Sequence, residues 1–191
     1  MRIRKRALSL INKFLLDDGS FDKLNFNFLG KNSHVISPFF IKNPQYIRIG
    51  ENFSSLYNLR LEAWDEYVGQ KFKPELIIGN NVCFNSDVHI GCIDRIEIGD
   101  NVLMASRIFI ADCSHGHISR EALRLPPIQR PLISKGPVII ENNVWIGEGV
   151  AILHGVTIGE NSIIGANSVI TKDIPSNSVV GGNPGRILKT L

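Results

Sequence analysis

A chain of 191 residues, 43% hydrophobic and 20% charged, is long enough for one domain with a small appendage. A net charge of only +3, with no RNA- or DNA-binding motif, argues against a nucleic-acid partner. Three cysteines, Cys83, Cys92 and Cys113, lack CxxC spacing; an odd, scattered set argues against a disulfide framework and suits a reducing cytosol.

Residues 2–16 place Ile3, Ala7, Leu10, Ile11 and Phe14 at three- and four-residue spacing, which predicts a short amphipathic helix. Arg2, Arg4, Lys5, Arg6 and Lys13 make its other face cationic. Such a helix either covers the end of the domain that follows or rests on an anionic membrane surface as a peripheral contact. Its apolar part is short and broken by Asn12 and Lys13, unlike a secretory signal. No stretch approaches the roughly 20 apolar residues that cross a bilayer, so a cytoplasmic location is expected. Residues 17–32 read as loop, and residues 1–32 together form a cap ahead of a main domain at 33–191.

Apolar punctuation begins with Val35, Ile36, Ile41, Ile47, Ile49 and Phe53. Residues 57–74 are looser: Leu59, Leu61 and Trp64 precede a polar stretch expected to protrude. A six-residue beat then takes over, as IGNNVC from Ile78, IGDNVL from Ile98, IGEGVA from Ile146, IGENSI from Ile158 and IGANSV from Ile164. A short fixed period with a repeated Gly is the signature of a hexapeptide β-helix. Each hexapeptide supplies one face of a triangular prism, three make a coil, and coils stack at the spacing of parallel strands. The leading Ile or Val points inward, a small residue follows where the chain turns, and Asn81, Asn101, Asn143 and Asn161 fit the corners because Asn tolerates positive φ. Two additional residues fall between Ile90 and Ile98, and a long interruption runs over residues 112–136. Long excursions from compact domains are usually functional or disordered. This one opens with Asp112, His115 and His117, and His is well suited to taking a proton near neutral pH.

The repeats, the interruption, the run GPVIIENNVWIGEGVAILHGVTIGENSIIGANSVITKDIP and the closing GGNPGRI resemble the bacterial O-acetyltransferases of the left-handed β-helix superfamily. The similarity is to the galactoside/maltose acetyltransferases and the O-antigen and capsule O-acetyltransferases. It covers residues 76–191 well and the first third loosely. The resemblance implies an all-β, left-handed parallel β-helix, acetyl-CoA as co-substrate with no metal, and a homotrimer with sites between subunits. It also implies transfer of an acetyl group to a hydroxyl of a sugar or cell-surface polysaccharide precursor.

The family's general base is a His at the start of the interruption. The ungapped run IGDNVLMAS–IFIADCSH places His115 there, with His117 as a competitor. Asn85, in CFNSD, matches an acceptor-binding Asn, although Asn is also a common corner residue; Asp87, Asp112 and His117 are further acceptor candidates and Asp94 a weaker one. Trp145 matches a ring that walls the pantetheine arm of CoA. Gly147, Gly165 and Ala166 leave room for its amides, and Lys172 and Arg186 match basic positions near its phosphates, with Arg suited to phosphate by its fork of donors. Cys113 as an acyl-carrying nucleophile is an alternative to direct transfer. Two other readings use the same solenoid: a γ-type carbonic anhydrase with zinc on His89, His115 and His117, and a non-catalytic scaffold.

Overall fold

The computed structural model describes residues 21–191, so the helix expected over residues 2–16 lies outside them. The described chain is a stack of three-sided coils almost without helix, its only helical pieces being short 3-10 turns. Three parallel sheets form the faces of the prism. The first face runs from Phe28–Leu29 through Glu75–Ile78, Arg95–Ile98 and Val138–Ile140 to Val156–Ile158. The second includes Cys83–Phe84, Leu103–Met104, Trp145–Ile146 and Ile163–Ile164, and ends on Ser178–Gly181. The third runs from Phe39–Lys42 through Leu59–Ala63, His89–Cys92 and Phe109–Ala111 to Val169–Ile170. The last strand, Arg186–Thr190, turns back antiparallel to Ser178–Gly181 and breaks the parallel stacking at that end.

The beat explains the core. Ile78, Ile98, Ile146, Ile158 and Ile164 begin their hexapeptides and all point inward, packed against the residues equivalent to them one coil away. At the opposite end of the described residues Phe21 is buried against Phe26, Phe39 and Phe53, a ring cluster packed onto the first coil. The Gly after each Ile serves a purpose beyond turning a corner. At Gly147 an added Cβ would come within 2.7 Å of the Ala166 nitrogen and 2.8 Å of the Ile164 oxygen, so the side chain is excluded by the next coil.

The edge between the first and second faces carries a ladder of asparagines. Asn32, Asn52, Asn81, Asn101, Asn143, Asn161 and Asn177 all hold φ between 56° and 60°, as expected of the four corner asparagines named above. Each side-chain amide donates to the next at 2.9–3.2 Å. Asn101→Ala is expected to lower stability by about 2 kcal/mol, from a left-handed backbone that Ala tolerates poorly and two lost hydrogen bonds. Asn101→Gly should lose less, because Gly accepts that backbone. Denaturant midpoints that fall equally for both would contradict a backbone share.

The ladder also measures the coils. Successive asparagines lie 18 residues apart between Asn143 and Asn161 and 20 apart between Asn81 and Asn101. The separation is 29 residues from Asn52 to Asn81 and 42 from Asn101 to Asn143. The two longer steps are insertions, and both leave the prism at the edge between the third and first faces. The first lies between Leu59–Ala63 and Glu75–Ile78, and the second between Phe109–Ala111 and Val138–Ile140.

Candidate active site

The two insertions converge. The first forms a small hairpin of Glu66–Tyr67 and Gln70–Lys71. The second starts and ends as an antiparallel pair, Ser114 opposite Ile133 and His115 opposite Leu132. The hairpin braces the loop at two points: Gln70 Oε1 accepts the Leu132 N–H at 2.9 Å, and the Tyr67 hydroxyl donates to the Ile128 carbonyl at 2.7 Å. The Tyr67 hydroxyl also lies 3.4 Å from His115 Nδ1, with the two rings edge to face at 5.3 Å between centroids. The sequence placed the polar stretch outside the prism but gave no sign of this contact.

His115 is exposed and sits on the wall of a cavity of about 710 Å³ formed by the loop and the neighbouring coil at Leu153 and His154. His117 lies on the same wall, so both candidates for the base are present, and only His115 is contacted by Tyr67. Gly116 between them is held with φ 78° by its N–H bond to Pro131 O at 2.7 Å and by the Arg130 side chain packed against it. Arg120, Arg130, Lys135 and His154 also line the cavity. Sequence reading missed these four, because three fall in the aperiodic loop and His154 occupies an ordinary corner of the repeat.

Asp112 departs from the expectation that it binds acceptor. Its carboxylate is fully buried at the root of the loop. It accepts the Ile93 N–H at 2.9 Å and the Asp94 N–H at 2.8 Å, and lies 3.4 Å from Cys92 Sγ. Ile93 and Asp94 belong to the coil with two additional residues, so Asp112 caps that widened corner from inside. Burial pushes its carboxyl above the usual range, against the pull of the two backbone N–H groups. Cys113 is next to it, and burial together with the Asp112 charge pushes the thiol up to about 12. A thiol so far from ionising is a poor nucleophile, which disfavours an acyl-cysteine route.

The other expected site residues lie on a different edge, between the second and third faces. Asn85 and Asp87 form one corner there, Asp87 with φ 61° and its carboxylate accepting from Asn58 at 2.8 Å. Gly147, Gly165 and Ala166 form the corners two and three coils on, with Ala166 exposed. Trp145 stands on the outer side of the second face just before Gly147, half exposed at 50%. Arg186 pairs with Gly181 at the end of the same face. Lys172, in contrast, follows Val169–Ile170 and lies exposed on the loop edge. Within one chain the expected residues therefore divide between two edges of the prism.

His89, offered above as a zinc ligand, lies on the outer side of the third face with Nε2 3.6 Å from Glu62 Oε2 and its ring against Phe109. Burial lowers its pKa. Among the described residues no group of three His, Cys, Asp or Glu is placed to hold a metal, and no helix is long and apolar enough to cross a membrane.

Comparison with known proteins agrees with this architecture. Residues 137–172 match the bacterial transferase hexapeptide (six repeats) family. Over 164 residues the chain is 38% identical to a protein of Escherichia coli (strain K12) assigned as the lipopolysaccharide biosynthesis O-acetyl transferase WbbJ, covering 83% of this chain and 80% of that one. It is 28% identical to a hexapeptide-repeat-containing acetyltransferase from Vibrio cholerae, with a TM-score of 0.63 over 97% of this chain and 90% of that structure. A galactoside acetyltransferase solved in complex with coenzyme A gives 28% identity and a TM-score of 0.59 over 98% of this chain and 80% of that structure. The chain belongs to the bacterial hexapeptide-repeat transferase family, and within it to the acyltransferases.

Proposed function

We propose that the protein is an acetyl-CoA-dependent O-acetyltransferase that modifies a hydroxyl of a sugar or cell-surface polysaccharide precursor, with His115 as general base. The observation that carries this reading is an exposed His115 imidazole on the wall of a large cavity, with its Nδ1 side facing a tyrosine that is itself anchored. The kinship with WbbJ and with a galactoside acetyltransferase that holds coenzyme A supports the choice of donor and acceptor class.

The Tyr67 proton is directed at Ile128 O, which leaves an oxygen lone pair for His115 Nδ1–H. With the proton on Nδ1, Nε2 is free to accept. Nε2 takes the proton of the acceptor hydroxyl as its oxygen attacks the thioester carbonyl; the new C–O bond forms, the tetrahedral intermediate collapses with loss of the C–S bond, and the proton passes to the departing CoA sulfur. Holding both substrates side by side supplies the proximity contribution.

The division of site residues between two edges supports a homotrimer in which the loop edge of one subunit meets the second-to-third edge of its neighbour. Closed cyclic symmetry gives three equivalent sites. Exposed Leu103, Phe109 and Trp145 provide apolar surface for such contacts. By family kinship the coil is left-handed and the protein acts in the cytoplasm. Trp145, Gly147, Gly165, Ala166 and Arg186 would line the pantetheine arm and phosphates, with Lys172 contributed from the loop edge; Asn85 and Asp87 would face the acceptor together with His117.

The test is to incubate the protein with acetyl-CoA and a panel of free sugars, nucleotide sugars and lipid-linked oligosaccharides, reading thiol release and the O-acetyl ester by mass spectrometry. Ester formation with one acceptor class is the expected result; no acceptor-dependent thiol release across the panel would overturn the reading. Tyr67→Phe separates a positioning role from a structural one. It should lower kcat about tenfold while the KM for acetyl-CoA stays within about twofold, since only the imidazole loses a positioning partner. An unchanged kcat would contradict that role.

A further inference from the structure

The loop cavity is more cationic than a general base requires. Arg120, Arg130 and Lys135 share its wall with His115, His117 and His154, and no Asp or Glu lines it. Among the described residues none of the three cations forms an ion pair. Arg130 Nε donates to Leu125 O at 3.0 Å, which fixes the guanidinium and leaves its other donors available. His154 is the remaining titratable group on that wall. Burial and the Lys135 charge lower its pKa, so at neutral pH it is an uncharged hydrogen-bonding group rather than another cation.

We propose that this cavity receives an anionic group of the acceptor, a phosphate or a carboxylate, and so selects a charged sugar over a neutral one. The inference rests on the acetyl-transfer reading given above. An Arg fork and a Lys point charge make the strong, charge-assisted contacts that such oxyanions accept. The anion belongs to the acceptor because His115 lines the same cavity, which places its occupant beside the reacting hydroxyl. The phosphates of acetyl-CoA are separated from the thioester by the whole pantetheine arm.

The experiment is steady-state kinetics at saturating acetyl-CoA with three acceptors built on one sugar: the 1-phosphate, the uronic acid and the neutral methyl glycoside. The wild-type protein should favour one anionic acceptor over the neutral one by about tenfold or more in kcat/KM, the scale of one charge-assisted contact. Which anion is favoured identifies the group. Lys135→Glu, at an exposed side chain where charge reversal spares the fold, should abolish that preference while the KM for acetyl-CoA stays within about twofold. Arg130→Gln should act in the same direction. Equal use of all three acceptors would overturn the inference and leave sugar acetylation standing. A raised KM for acetyl-CoA in Lys135→Glu with acceptor preference unchanged would also overturn it, by assigning the charge to the donor. Absence of transfer to any sugar would overturn both readings.

Discussion

Replacing His115 with Ala is expected to lower kcat for acetyl transfer by about a hundred- to ten-thousand-fold, the usual contribution of a positioned general base. The KM for acetyl-CoA should change little, because the residues proposed to line the donor, Lys172 apart, lie on another edge of the prism. The fold should be unaffected as well. The His115 ring is exposed and contributes nothing to the core, while the Ser114–His115 strand is held to Leu132–Ile133 by its backbone. Thiol release from acetyl-CoA with a competent acceptor reads the effect directly. His117→Ala, whose ring shares the cavity without a Tyr67 contact, should cost far less. Equal losses in the two variants would mean that the base has been assigned to the wrong ring.

Asp112→Ala is expected to be the most destabilising single change in the loop region. The carboxylate is fully buried and accepts the Ile93 and Asp94 N–H groups, and removing it leaves both backbone donors buried without a partner. Losses of this kind cost about 1–3 kcal/mol per group, so about 3 kcal/mol in total is a reasonable expectation. For a domain of this size that corresponds to a fall of roughly 10 °C in Tm. Activity should fall too, because the same residue roots the segment that carries His115. Asp112→Asn keeps one acceptor oxygen and should recover part of the lost stability. If Asp112→Ala melted like the wild-type protein but lost acceptor binding, the residue would be a ligand after all and the buried placement would be misleading.

These two residues also mark what the sequence could reveal. The coils were legible because packing a prism imposes a period: an inward Ile, a Gly where the next coil leaves no room for a Cβ, an Asn at positive φ. Asn81, Asn101, Asn143 and Asn161 were recognisable for that physical reason, and the structure adds only that their amides join into one ladder. The break at residues 112–136 was visible as lost periodicity, and the proposal of His115 within it rests on kinship. The period is silent about anything that leaves the prism. Tyr67 and Gln70 sit 48 and 62 residues from the groups they meet, in a hairpin whose sequence carries no repeat. Nothing local could indicate that two excursions from one edge would touch. Asp112 misled because an acidic residue beside a candidate base reads as chemistry, whereas the coil with two additional residues needed an internal cap. Arg130 and Lys135 were passed over because single cations in an aperiodic loop look solvated until the loop closes around a cavity.

The most direct measurement mixes two inactive proteins. His115→Ala disables the loop edge, and Ala166→Tyr, at an exposed corner of the opposite edge, obstructs the proposed pantetheine groove without entering the core. Each alone should be inactive. Unfolded together and refolded at equal amounts, they should form mixed trimers in which a site is intact whenever an Ala166→Tyr chain offers its loop to a His115→Ala neighbour. Random assortment puts recovery at about a quarter of wild-type activity. Recovery on that scale is the predicted result. No recovery, from mixtures confirmed to contain both chains in one oligomer, would contradict a site assembled across subunits and place the whole reaction within a single chain.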